Sequence, residues 1–212
     1  MASDPPSENE PNAVQRADAR RNRLRVLDAA DLVFSAQGVS ASTEEVAREA
    51  GVGIGTVFRH FPTKADLLRA VIQRRLRRFA DEAQAIADDD GIDAGPAFFS
   101  LFARAVDQSA SKNALAAALA EAGVDLAPVG SPAAATLRDA LARLLQRAQQ
   151  AGEVRGDIGT GELIALLVGA SRAAEQANWN SEVISRVVAV MCAGLRPPAS
   201  APASQIEPNA IS

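Results

Sequence analysis

The sequence has little of what most active sites are built from. There is one cysteine (Cys192), one histidine (His60), no tyrosine, and aromatic residues make up only 4% of the chain. A lone cysteine excludes an intramolecular disulfide framework and a cysteine-rich zinc site. A lone histidine excludes multi-histidine metal sites, so no metal and no cofactor is expected. A Ser-His-Asp or Cys-His arrangement would have to use His60, and no phosphate loop or nucleophile elbow is present. An enzyme is therefore not expected, and no catalytic residue is assigned. No apolar run approaches the ~20 residues that span a bilayer. The opening MASDPPSENEPN is acidic and proline-containing, unlike a secretory signal. These absences point to a soluble cytoplasmic protein with no membrane partner.

What is present is alanine, leucine and charge. Hydrophobic residues make up 48% of 212 and charged residues 23%, a globular composition. Scarce aromatics and abundant alanine favour packed helices over a sheet. The net charge of −4 is unevenly spread. Residues 14–80 carry 13 Lys and Arg against 7 Asp and Glu, whereas residues 81–212 carry 9 against 16. The first segment suits a polyanion and the second does not.

Apolar residues repeat at helical spacing almost throughout. A first helix is expected over about 17–37, ending at Gly38. A second, over about 43–50, opens on the capping box Ser42-x-x-Glu45 and stops at Gly51. A third covers about 54–61 and is closed by Pro62. A long fourth helix opens on Thr63-Lys-Ala-Asp66, and the chain turns at Asp88-Asp-Asp-Gly91. Further helices fit 96–109, 112–122, 132–151, 161–178 and 181–194, about nine in all. Residues 1–13 and 197–212 read as disordered tails. The expected organisation is an N-terminal unit over 14–62, a connecting helix over 63–90, and a C-terminal unit over 91–196.

Residues 43–61, TEEVAREAGVGIGTVFRHF, place two short helices around a tight turn. Ala47 is small enough for a close helix crossing, and Gly51 supplies a backbone angle that a β-carbon resists. Val46, Ala50, Val52 and Val57 lock the pair together. This is helix-turn-helix logic, in which the second helix stands proud to enter a major groove. Gly51-x-Gly53-x-Gly55 has the wrong spacing for a nucleotide loop.

Over Arg23–Val71 the sequence resembles the N-terminal domain of the TetR family of bacterial transcriptional regulators. The resemblance rests on Val26-Leu27-Asp-Ala-Ala30, Phe34-x-x-x-Gly38, Val46-Ala47, Ala50-Gly51-Val52, Gly55-Thr56-Val57-Phe58-Arg59-His60-Phe61 and Lys64-x-x-Leu67-Leu68. It implies a homodimer that binds double-stranded DNA and is released by a small-molecule effector held in the C-terminal helices. It also implies that Thr56, His60 and Lys64 contact phosphate or groove. Two positions depart from the common pattern: Phe58 stands where a tyrosine is usual, and Gly53 where a serine is usual.

From residue chemistry, Thr43 at a helix start suits a phosphate. Arg25 is a possible further phosphate contact, and Arg20, Arg21 and Arg23 can serve as an arm. Gly53 and Gly55 belong to the DNA-binding set by position but offer no side chain for base reading. Ile54, Thr56 and Phe58 suit thymine methyl groups, and Arg59 is the one strong guanine reader. The cluster Arg74, Arg75, Arg77 and Arg78 reads as a solvated face or an interdomain tie.

In the C-terminal half, Phe98, Phe99, Phe102, Leu115, Leu119, Leu141 and Leu145 are candidates for an apolar effector pocket. Leu163, Leu166, Leu167, Ala170 and Ala174 form one broad stripe. Ile184, Val187, Val188, Met191 and Leu195 form another. Stripes this broad suit helices buried on two sides, against the subunit's own core and against a partner. Periodicity makes the fold class all-α, and the resemblance makes it TetR-like, with 14–62 as the DNA-binding unit and 91–196 as the ligand-binding and dimerisation unit. Two rival readings are a DNA-binding dimer without an inducer, and a helical enzyme or carrier with a vestigial motif.

Overall fold

The computed structural model describes residues 10–121, 132–177 and 179–198. These form eight α-helices and a 3-10 turn: α1 (Glu10–Gln37), the turn (Gly38–Ser40), α2 (Thr43–Ala50), α3 (Ile54–His60), α4 (Lys64–Asp88), α5 (Ala94–Glu121), α6 (Pro132–Gln150), α7 (Thr160–Gln176) and α8 (Ser181–Leu195). Two differences from the sequence reading have local causes. The helices expected at 96–109 and 112–122 are one, α5, because Ser109-Ala-Ser-Lys112 holds no Gly or Pro and nothing there breaks the helix. Among the described residues the count is therefore eight rather than nine. The first helix starts at Glu10, and Pro11 falls in its opening turn, where the missing N–H costs nothing. The expected tails lie outside the described residues up to residue 9 and beyond Pro198. No described helix is long and apolar enough to cross a membrane.

The described residues form two hydrophobic cores. The first joins Val26, Ala30 and Phe34 of α1 to Val46 and Ala47 of α2, Val57 of α3, and Leu67, Leu68 and Val71 of α4. The second joins Phe79, Ala83 and Ala87 of α4 to Phe98, Leu101 and Phe102 of α5, Leu141 and Leu144 of α6, Leu163 of α7 and Leu195 of α8. Helix α4 belongs to both, one half in each. At 1.5 Å per residue, its 25 residues run about 37 Å from one core into the other.

Two arginine clasps fix α4 within the second core. Arg104 of α5 bonds both oxygens of Glu82, at 2.7 and 2.6 Å, and its guanidinium lies 5.2 Å from the centre of the Phe79 ring. The far end of α4 is acidic, which the helix dipole disfavours. Arg147 of α6 offsets this by donating to the carbonyls of Ala87 (3.2 Å), Asp89 (3.1 Å) and Ile92 (3.0 Å). Arg143 stands 3.4 Å from Asp88.

The stripes on α7 and α8 divide between two sides. Leu163, Leu167, Ala174, Val188 and Leu195 are buried within the subunit, so their place is the subunit's own packing rather than a free face. Ala170, Ile184, Val187 and Met191 are half-buried at its margin. Leu166 (38% exposed), Val168 (48%) and Val190 (73%) remain apolar and uncovered.

Candidate nucleic-acid interface and effector cavity

Helices α2 and α3 are fixed by local chemistry at each end. The Ser42 hydroxyl accepts the Glu45 N–H at 3.1 Å, and the Glu45 carboxylate accepts the Ser42 N–H at 2.8 Å. Thr63 and Asp66 repeat this reciprocal pair at the start of α4, at 3.1 and 3.2 Å. The Ser42 N–H chiefly, then its hydroxyl and Arg48, hold the Glu45 carboxyl below the usual glutamate range. The Thr63 hydroxyl, then its N–H and Arg69, do the same for Asp66.

Between α2 and α3 the chain turns at Gly51, whose φ is +62°. The Val52 N–H reaches back to the Ala47 carbonyl (3.0 Å) and the Gly51 N–H to that of Arg48 (3.2 Å), the two bonds of a Schellman stop. Arg25 of α1 closes the turn from outside by donating to the carbonyls of Ala50 (2.8 Å) and Gly51 (3.2 Å). The sequence reading offered Arg25 as a phosphate ligand; its guanidinium instead meets these two carbonyls. Arg23 lies over the Phe61 ring, 5.0 Å from its centre.

Helix α3 has seven residues and rests on one wholly buried side chain, Val57. Gly53 caps it without a side-chain bond, as expected where serine is replaced. Outward stand Ile54 (36% exposed), Gly55, Phe58 (44%) and Arg59. Thr56, His60 and Lys64 are half-buried along the flank. Thr43 is buried, and its hydroxyl has the Glu44 carboxylate 3.4 Å away. An exposed phenylalanine and isoleucine on so short a helix are costly in water and suit a surface that meets a partner.

The matches to known proteins follow the same division. Residues 26–71 match the family model for bacterial regulatory proteins of the tetR family, and residues 93–197 match that for the C-terminal domain of SbtR-like transcriptional regulators. The crystal structure of a TetR transcription regulatory protein from Mycobacterium vanbaalenii is 40% identical. The match covers 86% of this chain and 99% of that one, with a TM-score of 0.63. The chain belongs to the TetR family.

A second TetR regulator, from Streptomyces coelicolor, is 30% identical over 84% of this chain and 99% of that one, with a TM-score of 0.63. An HTH-type transcriptional regulator of Staphylococcus aureus (strain USA300) is 43% identical over 75 residues. That match spans 35% of this chain and only 40% of the relative. The TetR family is one of transcriptional regulators and not of enzymes.

Away from α2 and α3, the reading head of the DNA-binding unit, a cavity of about 190 Å³ lies among α4, α5, α6 and α7. Its wall is mainly apolar, with Leu76 and Phe79 from α4, Leu137 and Leu141 from α6, and Ile164 and Leu167 from α7. Of the seven pocket candidates named from sequence, Leu141 lines it. Phe98, Phe102 and Leu145 are core residues instead, because α5 runs through the middle of the C-terminal bundle and turns its phenylalanines inward. Phe99 is half-buried, with the Arg196 guanidinium 4.6 Å from its ring centre. Leu115 and Leu119 lie in a stretch of α5 whose side chains fall outside the described residues. Sequence reasoning missed the α4 wall, where Arg75 also lines the cavity. Asp28, Asp31 and Ser35 recur along one side of α1 and meet Arg74 and Arg75, the interdomain tie read from sequence, but that pattern signals the ion pairs and not the cavity.

Proposed function

We propose that this protein is a ligand-responsive repressor that binds a palindromic operator as a homodimer and is released by a small apolar or amphipathic molecule. The observation that carries the reading is the shared helix. Helix α4 starts beside the reading head, belongs to both cores, and forms one wall of the cavity. A molecule that fits the cavity better in one placement of α4 shifts the population toward that placement, and the reading heads with it. The cavity favours this over a dimer without an inducer.

The uncovered residues Leu166, Val168 and Val190 supply the dimer contact. Two copies paired through α7 and α8 about a two-fold axis place two α3 helices on one side of the dimer, and this symmetry calls for an inverted-repeat operator. Thr56, Phe58, Ile54 and Arg59 meet base edges, and His60, Lys64 and Thr43 meet the backbone. Gly53 and Gly55 let the chain approach closely.

Two to four cationic contacts per subunit give a slope of log K against log salt of roughly −4 to −7. A gel shift with DNA from upstream of the protein's own gene tests the reading. Lys64→Ala should weaken binding about equally on all sequences and flatten that slope, whereas Thr56→Ala should relax preference at particular base pairs. Leu166→Glu should give monomers in light scattering. Absence of any shift at about 50 mM salt, with and without cell extract, overturns the repressor reading.

A further inference from the structure

The charge lining the cavity is one-sided. Among the described residues two guanidinium groups line it, Arg75 and Arg138, together with the neutral polar Gln108 and Ser109. No described aspartate or glutamate does. In an apolar recess such a wall selects by charge. A cationic guest is repelled, and a neutral guest leaves Arg138 without a counter-charge while Arg75 keeps only the Asp31 carboxylate outside the cavity. A guest with one carboxylate supplies the missing counter-charge through charge-assisted hydrogen bonds.

The two arginines differ in what else they hold. Arg138 is exposed on α6, and no described residue pairs with it. Arg75 is engaged. Its Nε donates to the Asp31 carboxylate, and its Nη2 donates to the Asp31 carbonyl at 3.0 Å and to the Ser35 hydroxyl. Asp31 and Ser35 belong to α1, in the DNA-facing unit. One residue therefore both lines the cavity and ties α4 to α1.

We propose that the cavity binds a small apolar monocarboxylate, and that its carboxylate is received by Arg138 and competes with Asp31 for Arg75. Binding exchanges one ion pair for another and loosens α1 from α4. This rests on the ligand-responsive reading above and gives that ligand a class. Size narrows it further. A cavity of about 150 Å³ holds a benzene ring, so 190 Å³ admits an aryl acid or a chain of about eight carbons.

The test uses the full-length, DNA-free dimer and calorimetric titration with octanoate and benzoate, each against its amide. The acid is expected to bind about tenfold or more tighter than the amide, the usual worth of a hydrogen-bonded charge. Arg138→Gln should erase most of that ratio without changing the melting temperature. Asp31→Asn removes the competing carboxylate from outside the cavity, so the acid should bind this variant several-fold more tightly than wild type. A purely structural role for Asp31 predicts no change or a loss.

Equal binding of acid and amide overturns the proposal, as does no binding of either acid at millimolar concentration. Unchanged or weaker acid binding by a folded Asp31→Asn variant overturns the exchange at Arg75. The repressor reading is judged separately by the gel shift: acid binding by a protein that shifts no operator sinks that reading and upholds this one.

Discussion

Arg25→Met separates a strut from a phosphate ligand, because the two roles leave different signatures. Arg25 donates two bonds to carbonyls at the end of α2 and in the turn, groups that a helix leaves without internal partners. A hydrogen bond to a charged group contributes about 1.5–3 kcal/mol when sheltered. Arg25 is exposed, and solvent screening brings the pair together down to about 1–2 kcal/mol. Methionine keeps most of the aliphatic stem, so the loss is mainly that of the two bonds. At about 2–4 °C per kcal/mol for a chain of this size, the melting temperature should fall by about 2–8 °C. DNA affinity should fall as well, because the turn sets the angle of α3. The salt slope should stay where it was, since no phosphate contact is removed. A backbone ligand would behave in the opposite way. Losing one contact per subunit removes about 0.9 from the slope twice, close to two units for a dimer. Calorimetric melting and gel shifts at four salt concentrations measure both. A slope flattened by about two units at an unchanged melting temperature refutes the strut.

Gly51→Ala forces a β-carbon onto a residue at φ +62°, with the Arg25 Nη2 only 3.1 Å from it. A cost of about 1–2 kcal/mol in urea unfolding is expected, with weakened DNA binding, and an unaffected protein would contradict the role given to the turn. Glu45 and Asp66 both have carboxyls held below their ordinary values of 4.5 and 3.8. Their contribution is therefore complete above those values and fades as pH falls through the lowered ones. Circular dichroism melts should show Glu45→Gln narrowing the stability gap between pH 6 and pH 3, and an identical pH profile would rule this out. Arg147→Met removes three bonds to the end of α4 and should lower unfolding free energy by about 2–3 kcal/mol, more than the same change at exposed Arg186. Equal effects at the two sites would count against the clasp.

The DNA-facing half was readable from sequence because its determinants are local. Ser42 with Glu45, and Thr63 with Asp66, are three residues apart, and the turn needs one glycine at one place. The C-terminal half is governed by which face of each helix looks inward, and periodicity leaves that open. Leu166 and Leu167 are neighbours separated by about 100° of rotation, so they share a broad stripe in sequence, yet one is exposed and the other buried. The phenylalanines of α5 were conspicuous by rarity, and rarity carries no direction. The cavity depends on four helices meeting, and a charged residue such as Arg75 gives no sign in sequence that it stands against apolar space. The continuity of α5 was missed because Ser109-Ala-Ser-Lys112 looks polar enough for a loop but contains nothing that stops a helix.

Because α4 is common to both cores and walls the cavity, the described C-terminal helices cannot be cut from the DNA-binding unit within that helix without dividing a core. A hybrid regulator joined within α4 has to match Leu67, Leu68 and Val71 to one parent and Phe79, Ala83 and Ala87 to the other. It also has to keep Arg74 and Arg75 with the Asp28 and Asp31 they pair with on α1. Exchange of the C-terminal bundle by recombination is thus easiest at the Asp89–Asp93 bend, where α4 travels whole with the DNA-binding unit. The newly acquired helices then have to supply an arginine in the place of Arg147.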